Sequence, residues 1–250
     1  MNEQLYLIGQ CIIILLVGGL LSSLSFGLKS ALVKTEMPAH KRSLTIQFVL
    51  GGLMLWLLLL AILSLQGFFS DFEQLPPRIM LAFIPPVVLI IFLLFSKDFK
   101  KILEQVPPAW LVYIQAFRIL MELFLWLGYL GNYVPPQMTF EWLNFDIIVG
   151  ITALMGGYVF FGRKRFHRFE AIIWNIFGIA LLVNIVMIAV LSTPSPLRVF
   201  LNEPANTFVA DVPFIWIPGF IVPFALAMHL FSLKQLIQAP RRKFNFRMKK

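Results

Sequence analysis

Seven apolar stretches of roughly 20 residues recur along this chain, and a helix bundle in lipid is the architecture that accommodates so many of them. They run approximately over Leu5–Leu28, Leu44–Gln66, Ile79–Ser96, Pro108–Leu130, Leu143–Gly162, Phe169–Ser192 and Pro213–Lys234. Hydrocarbon offers no partner to a backbone N–H or C=O, and a helix satisfies both within its own segment. At a rise of about 1.5 Å per residue, about 20 residues cover the roughly 30 Å of a bilayer core. Composition agrees: 59% of residues are hydrophobic and 13% charged, against about 45–50% and about 25% in a soluble domain. The sequence predicts an all-α integral membrane protein, a seven-transmembrane-helix bundle. Residues 1–235 are expected to form one transmembrane domain and residues 236–250 a basic tail.

The cations fall on one side of this arrangement. Of the 21 lysines and arginines, Lys29, Lys34, Lys41 and Arg42 lie in the first loop, Lys97, Lys100 and Lys101 in the third, and Arg163, Lys164, Arg165 and Arg168 in the fifth. Lys234, Arg241, Arg242, Lys243, Arg247, Lys249 and Lys250 follow at the C-terminal end, whereas the opposite loops hold only Arg78 and Arg198. The positive-inside rule then predicts an external N-terminus and a cytoplasmic C-terminus. The location expected is a cell membrane, crossed several times, of the bacterial inner-membrane kind. The net charge of +9 is explained by topology, so nucleic acid is not an expected partner. The tail mixes its cations with Phe244 and Phe246 and is expected either to touch anionic lipid or to stay solvated as a topology signal. No basic n-region precedes the first run, which is expected to be a retained span.

Within the fourth run, Gln115, Arg118 and Glu122 are spaced by three and four and share one helix face. A charge at the bilayer centre costs about 2.5–3.5 kcal/mol and is kept only beside a partner or in a wet cavity. Counting from the expected span ends, Arg118 lies about 18 Å below the outer surface, Glu122 and Asn184 about 12 Å, Gln10 about 8 Å and Asp146 about 5 Å. These depths predict a polar cavity in the outer half of the membrane, lined by Gln115, Arg118, Glu122, Asp146 and Asn184. Arg118 and Glu122, at i and i+4, are expected either to pair as a structural unit or to bind an ion, a proton or a polar solute. A second polar group, Gln47, Asn175 and His229, is expected near the cytoplasmic face. Pro85–Pro86 and Pro218 with Pro223 are expected to kink the third and seventh spans, and so either to open a cavity or only to shape the bundle. Gly18, Gly19, Ser22 and Ser23, Gly51 and Gly52, and Ala153 with Gly157 offer close helix contacts.

Enzyme chemistry is not indicated. No zinc-protease, phosphate-loop, nucleophile-elbow or dinucleotide motif occurs. The histidines His40, His167 and His229 lie in separate segments, and Cys11 is the single cysteine. No metal site and no cofactor are expected. The function expected from the residues is binding or transport of a small polar solute or ion through the Arg/Glu/Asp network. The alternative is a membrane sensor or partner-binding subunit of a larger complex.

Overall fold

The computed structural model describes residues 1–162 and 167–238. Arg163, Lys164 and Arg165, and the expected tail from residue 239 onward, lie outside the described residues. Among the described residues the secondary structure is helical throughout. The long helices are α1 (Glu3–Val33), α2 (Ala39–Leu65), α3 (Met80–Phe95), α7 (Ile147–Phe161), α8 (Arg168–Leu191) and α9 (Val222–Gln238). Short α4 (Lys97–Leu103) follows α3, and α5 (Pro108–Tyr113) joins α6 (Phe117–Leu130) through a 3₁₀ turn at Ile114–Ala116.

Every expected run contains a helix, but they are not equally long. Five segments, Glu3–Val33, Ala39–Leu65, Pro108–Leu130, Arg168–Leu191 and Ile217–Gln238, are long and apolar enough to cross a membrane. Met80–Phe95 makes a sixth if joined to α4, which turns away from it by 85°. Ser96 causes that corner: its extended backbone ends α3, and its hydroxyl accepts the Phe99 N–H to start α4. Helix α7 has 15 residues, about 22 Å of rise, because the chain before it folds inward rather than continuing the helix. Large apolar side chains such as Leu15, Leu58, Phe92 and Phe95 point outward from α1, α2 and α3. Such surface is costly in water and free of cost against acyl chains, so this is a membrane-embedded helical protein.

The prolines of the seventh segment alter its backbone. Pro223 brings no N–H to its helix, and the Gly219 carbonyl one turn earlier accepts from Trp56 Nε1 at 2.9 Å instead. Around Pro218 the chain forms a π-turn over Ile217–Ile221, and α3 carries Pro85 and Pro86 inside it. Both helices border the main cavity described below.

One end of the bundle is closed by three connecting segments, residues 66–79, 131–146 and 193–216. Phe69, Phe72, Tyr133, Val134, Phe208 and Phe214 from these segments are buried in the main core. Tyr6, Phe124, Tyr133, Phe208 and Phe214 form a continuous aromatic cluster with centroid separations of 5.1–6.0 Å. The longest segment, 193–212, is an ordered cap: Asn202 Nδ2 donates to Gln137 Oε1, Gln137 Nε2 to Ser192 Oγ, and Asn206 Nδ2 to the Ala189 carbonyl. Burial pushes the Tyr133 phenol up to about 12.

Small residues divide into two kinds. Gly157 lies against the Tyr113 ring and Ala153 is fully buried, so the expected contact on α7 is present. Gly18, Gly19, Gly51 and Gly52 have no neighbouring atom within 4 Å of the place a Cβ would occupy; they lie on the outward faces of α1 and α2. Gly128 is of the first kind, since a Cβ there would meet Val134 Cγ2 at 2.3 Å and the Tyr133 ring at 2.9 Å. Gly128→Val is expected to destabilise the protein by about 1–3 kcal/mol through overpacking, whereas Gly51→Ala is expected to be neutral or to stabilise by up to about 1 kcal/mol; thermal unfolding of the purified variants measures both.

The cap also carries a pH dependence. Hydrogen bonds from Arg198 and from the Ala205 N–H hold the Glu203 carboxyl below the usual glutamate range. A depressed carboxyl stabilises the fold above its unfolded pKa of about 4.3, and that contribution is lost as pH falls through the folded value. The Tm difference between wild type and Glu203→Gln is therefore expected to be constant above about pH 5 and to shrink as pH drops below about 4.

Candidate functional site

The polar residues of α6 sit where the sequence places them, on one buried face, but their partners differ from the expected ones. Gln115, Arg118 and Glu122 are each at most 1% exposed. Arg118 does not pair with Glu122. Its Nη1 donates to Asp146 Oδ1 at 2.6 Å and, at 3.4 Å, to the Gly178 carbonyl of α8. An i, i+4 pair with the cation first is the weaker orientation on a helix, and a carboxylate from a neighbouring helix reaches the guanidinium end-on.

Close helix packing delivers that carboxylate. Gly150 lies one turn beyond Asp146 on the same face of α7. A Cβ at Gly150 would meet the Ile119 backbone N at 2.9 Å and Arg118 Cβ at 3.3 Å. Only glycine lets α7 approach the α6 backbone this closely, and the approach brings Asp146 onto Arg118. The expected depth of Asp146, about 5 Å, is thereby corrected. Asp146 is 5% exposed and sits level with the buried charges, because residues 131–145 fold into the bundle before α7 starts.

Asn144 is the residue that sequence reasoning missed. Its Nδ2 donates to both Glu122 oxygens at 2.7 Å and to the Met138 carbonyl at 3.0 Å. Its Oδ1 accepts the Asp146 N–H at 3.0 Å. One amide thus holds the Glu122 carboxylate and the backbone at the start of α7. An asparagine in what reads as a loop carries no signal of this; only the burial of that loop gives it meaning.

Gln115 Nε2 donates to the Ala225 carbonyl of α9 at 3.0 Å. Asn184 does not join the charge network. It is partly exposed on α8, and its Nδ2 ties that helix to the Leu143 carbonyl. Gln10 likewise serves the cap, donating to the Val212 carbonyl.

The second polar group is corrected in the same way. Asn175 and His229 meet, with Asn175 Oδ1 2.9 Å from His229 Nδ1. Gln47 is exposed on α2 and takes no part; Ser232 stands in its place, accepting from Asn175 Nδ2 at 3.0 Å. Since the Asn175 amide nitrogen donates to Ser232 and to the Ala171 carbonyl, its oxygen accepts and His229 Nδ1 carries the proton. The His229 ring packs over Gly178, where a Cβ would lie 2.4 Å from it. The two polar groups therefore meet at one glycine of α8, whose carbonyl faces Arg118 and whose bare Cα faces His229.

Above the charged residues lies a cavity of about 480 Å³. Its walls come from the start of α3, from α6, the capped half of α8, the cap, and the π-turn with the start of α9, and they are overwhelmingly apolar. Arg118, Glu122 and Asp146 form one end, Thr193 and Asn206 belong to the other. The sequence led to a polar cavity; the one found is apolar with polar ends. Among the described residues no group of three or more His, Cys, Asp or Glu side chains is placed to hold a metal ion.

Fold and site together define a polytopic helical membrane protein with a buried ion-pair network at the end of an apolar chamber. The chain belongs to the family of domains of unknown function DUF8737, whose model matches residues 76–237. That range contains the whole charge network, the His229 group and the cavity, and leaves out α1 and α2. No curated protein and no solved structure matches the chain.

Two substitutions test the network's construction by unfolding. Asn144→Ala strips both Glu122 oxygens of their donor and is expected to cost about 1–3 kcal/mol or more. Gly150→Val is expected to separate α7 from α6 and leave Arg118 without its carboxylate, at a cost approaching the roughly 3–5 kcal/mol of breaking a buried pair.

Proposed function

We propose that this protein is a multi-pass protein of the cell membrane, the bacterial inner membrane in kind, that binds a small molecule in the cavity and anchors it on the Arg118–Asp146–Glu122 network. The observation that carries this reading is the juxtaposition of a chamber of about 480 Å³ with three buried ionisable side chains at its end. Sites of this kind are mostly apolar with a few convergent polar groups, and fall within the usual range of about 300–1,000 Å³. Ionisable residues kept within a membrane mark functional sites by default. Binding is the first step of either transport or sensing, and the residues in place serve both.

The finer topology belongs to the same proposal. Seven crossings with an external N-terminus put the capped end outside and the end bearing Lys97, Lys100, Lys101 and Arg168 in the cytoplasm. In that arrangement α7 crosses with the folded-in residues 139–146 completing its length, and residues 1–235 act as one transmembrane domain.

Cysteine labelling tests both parts. In a Cys11→Ser background, Met121→Cys in the cavity wall is expected to react with a small membrane-permeant maleimide, while Val112→Cys, buried between α5 and α7, is not. Glu73→Cys in the capped end is expected to react in whole cells with an impermeant maleimide. An unreactive Met121→Cys would defeat the binding reading; labelling of Glu73→Cys only after lysis would reverse the orientation.

A further inference from the structure

We infer that the ligand of this cavity is an uncharged amphiphile, whose head offers a carbonyl-type acceptor to Arg118 and whose tail leaves through a side opening into the bilayer. The inference rests on the binding reading above and adds to it the chemical class of the ligand and its route.

The first observation is the unused edge of Arg118. Nη1 is occupied by Asp146 and Gly178, but Nε and Nη2 are buried without a hydrogen-bond partner, on a side chain that is 1% exposed and lines the cavity. Nε–H and Nη2–H form one planar fork, suited to an oxygen acceptor approaching side-on. Buried donors of a charged group are costly when left unpaired, so the position favours a ligand that supplies an acceptor.

The second observation sets the charge of that ligand. The guanidinium is already paired with Asp146 in direct contact, and the Glu122 carboxyl lies one turn along α6. An anionic head would bring a further negative charge into a low-dielectric site whose single cation is already matched. A cationic head would meet the donor edge of Arg118. A neutral carbonyl or ester oxygen satisfies the fork without either conflict.

The third observation is the wall and the mouth. Between its polar ends the chamber is lined by apolar side chains, and two of these, Met187 on α8 and Leu197 in the cap, are also exposed on the outside, by 51% and 44%. The inferred mouth lies beside them. Met187 lies one turn from the end of α8, on a helix long and apolar enough to cross the membrane, so this mouth opens toward acyl chains. Gly178, beside Arg118, and Met187 are nine positions apart on α8, about 14 Å. Nine positions also carry the chain half a turn around the helix, so a head at Arg118 has its tail running along α8 and then around its side to the mouth. Asn206 Oδ1, also without a partner, is at the far end of the chamber and beyond reach of the same head. A small polar solute would leave the apolar walls uncovered.

The test uses the full chain in detergent, with melting temperature as the readout, since a ligand that binds the folded state raises it by mass action. The probes are methyl oleate, oleate at pH 9, 1-octadecene and methyl acetate. They present, in turn, a neutral acceptor with a tail, an anionic head with a tail, a tail alone and a head alone. Methyl oleate is expected to give a saturable rise that exceeds the other three. That rise is expected to be lost in Val186→Trp, which fills the chamber, and reduced in Met187→Trp, an exposed rim position where a larger side chain has room outside the core. A larger rise with oleate, lost in the same variants, would overturn the neutral head and leave the binding reading standing. A rise with methyl acetate matching that of methyl oleate would overturn the amphiphile and favour a small polar ligand. Equal rises in wild type and both variants would show only a micelle effect and overturn the inference; the reading beneath it then stands or falls on the reactivity of Met121→Cys.

Discussion

A guanidinium carried into the middle of a membrane helix must be matched, and much of the site's construction follows from how Arg118 is matched. A lone charge at that depth costs several kcal/mol, so the chain has to bring a carboxylate to it across a helix interface. Asp146 fills that role at 2.6 Å. For Asp146 to arrive, α7 must begin level with Arg118 and press close to α6, which Gly150 permits. For α7 to begin there, residues 131–145 must enter the bundle, and their backbone groups then need internal partners. The Tyr133 N–H donating to the Gly128 carbonyl, the Asn144 N–H to the Thr139 carbonyl, and the Asn144 side chain supply them.

The same constraint separates the two halves of the chain. Helices α1 and α2 meet their surroundings mainly through apolar side chains turned outward. Their mid-helix glycines Gly18, Gly19, Gly51 and Gly52 face open space, whereas Gly9 and Gly27 of α1 pack on Tyr133 and Trp110. From α3 onward the helices are shorter, broken by prolines, 3₁₀ and π turns, and enclosed by the cap. Irregular backbone at membrane depth is tolerated where protein covers it or where it borders a cavity. Here it does both: the π-turn packs on Trp56 and Leu60 of α2 and forms one wall of the chamber. The family match begins at residue 76, close to the point where this change in construction occurs.

The chamber and the ion-pair network are one unit. Arg118 lines the cavity and holds Asp146 through Nη1, so a contact made on its unpaired Nε and Nη2 would bear on the pair that fixes α7. Through Gly178 the network also abuts His229 and its partners Asn175 and Ser232. The proposed ligand contact and a helix-helix contact thus converge on one side chain. This is the kind of coupling through which occupancy can bias a helix arrangement.

The sequence by itself determined the helical class, the embedding in lipid, the positions of the apolar segments, the face shared by Gln115, Arg118 and Glu122, and the break at Pro218 beside the cavity. These properties are local: run length, periodicity and the missing proline N–H act within a few turns of chain. Only the tertiary structure decided that Arg118 pairs with Asp146 rather than Glu122, and that Asn184 and Gln47 stand outside the polar groups. It alone showed that Asn144 joins the Glu122 carboxylate to the backbone of Asp146 and that the chamber walls are apolar. Depth counted along a straight helix misplaced Asp146, because a connecting segment can fold back into the bundle once its polar groups find partners there. Which partner a buried charge takes depends on which helix comes nearest. That distance was set by a glycine whose importance is invisible until the neighbouring backbone lies against it.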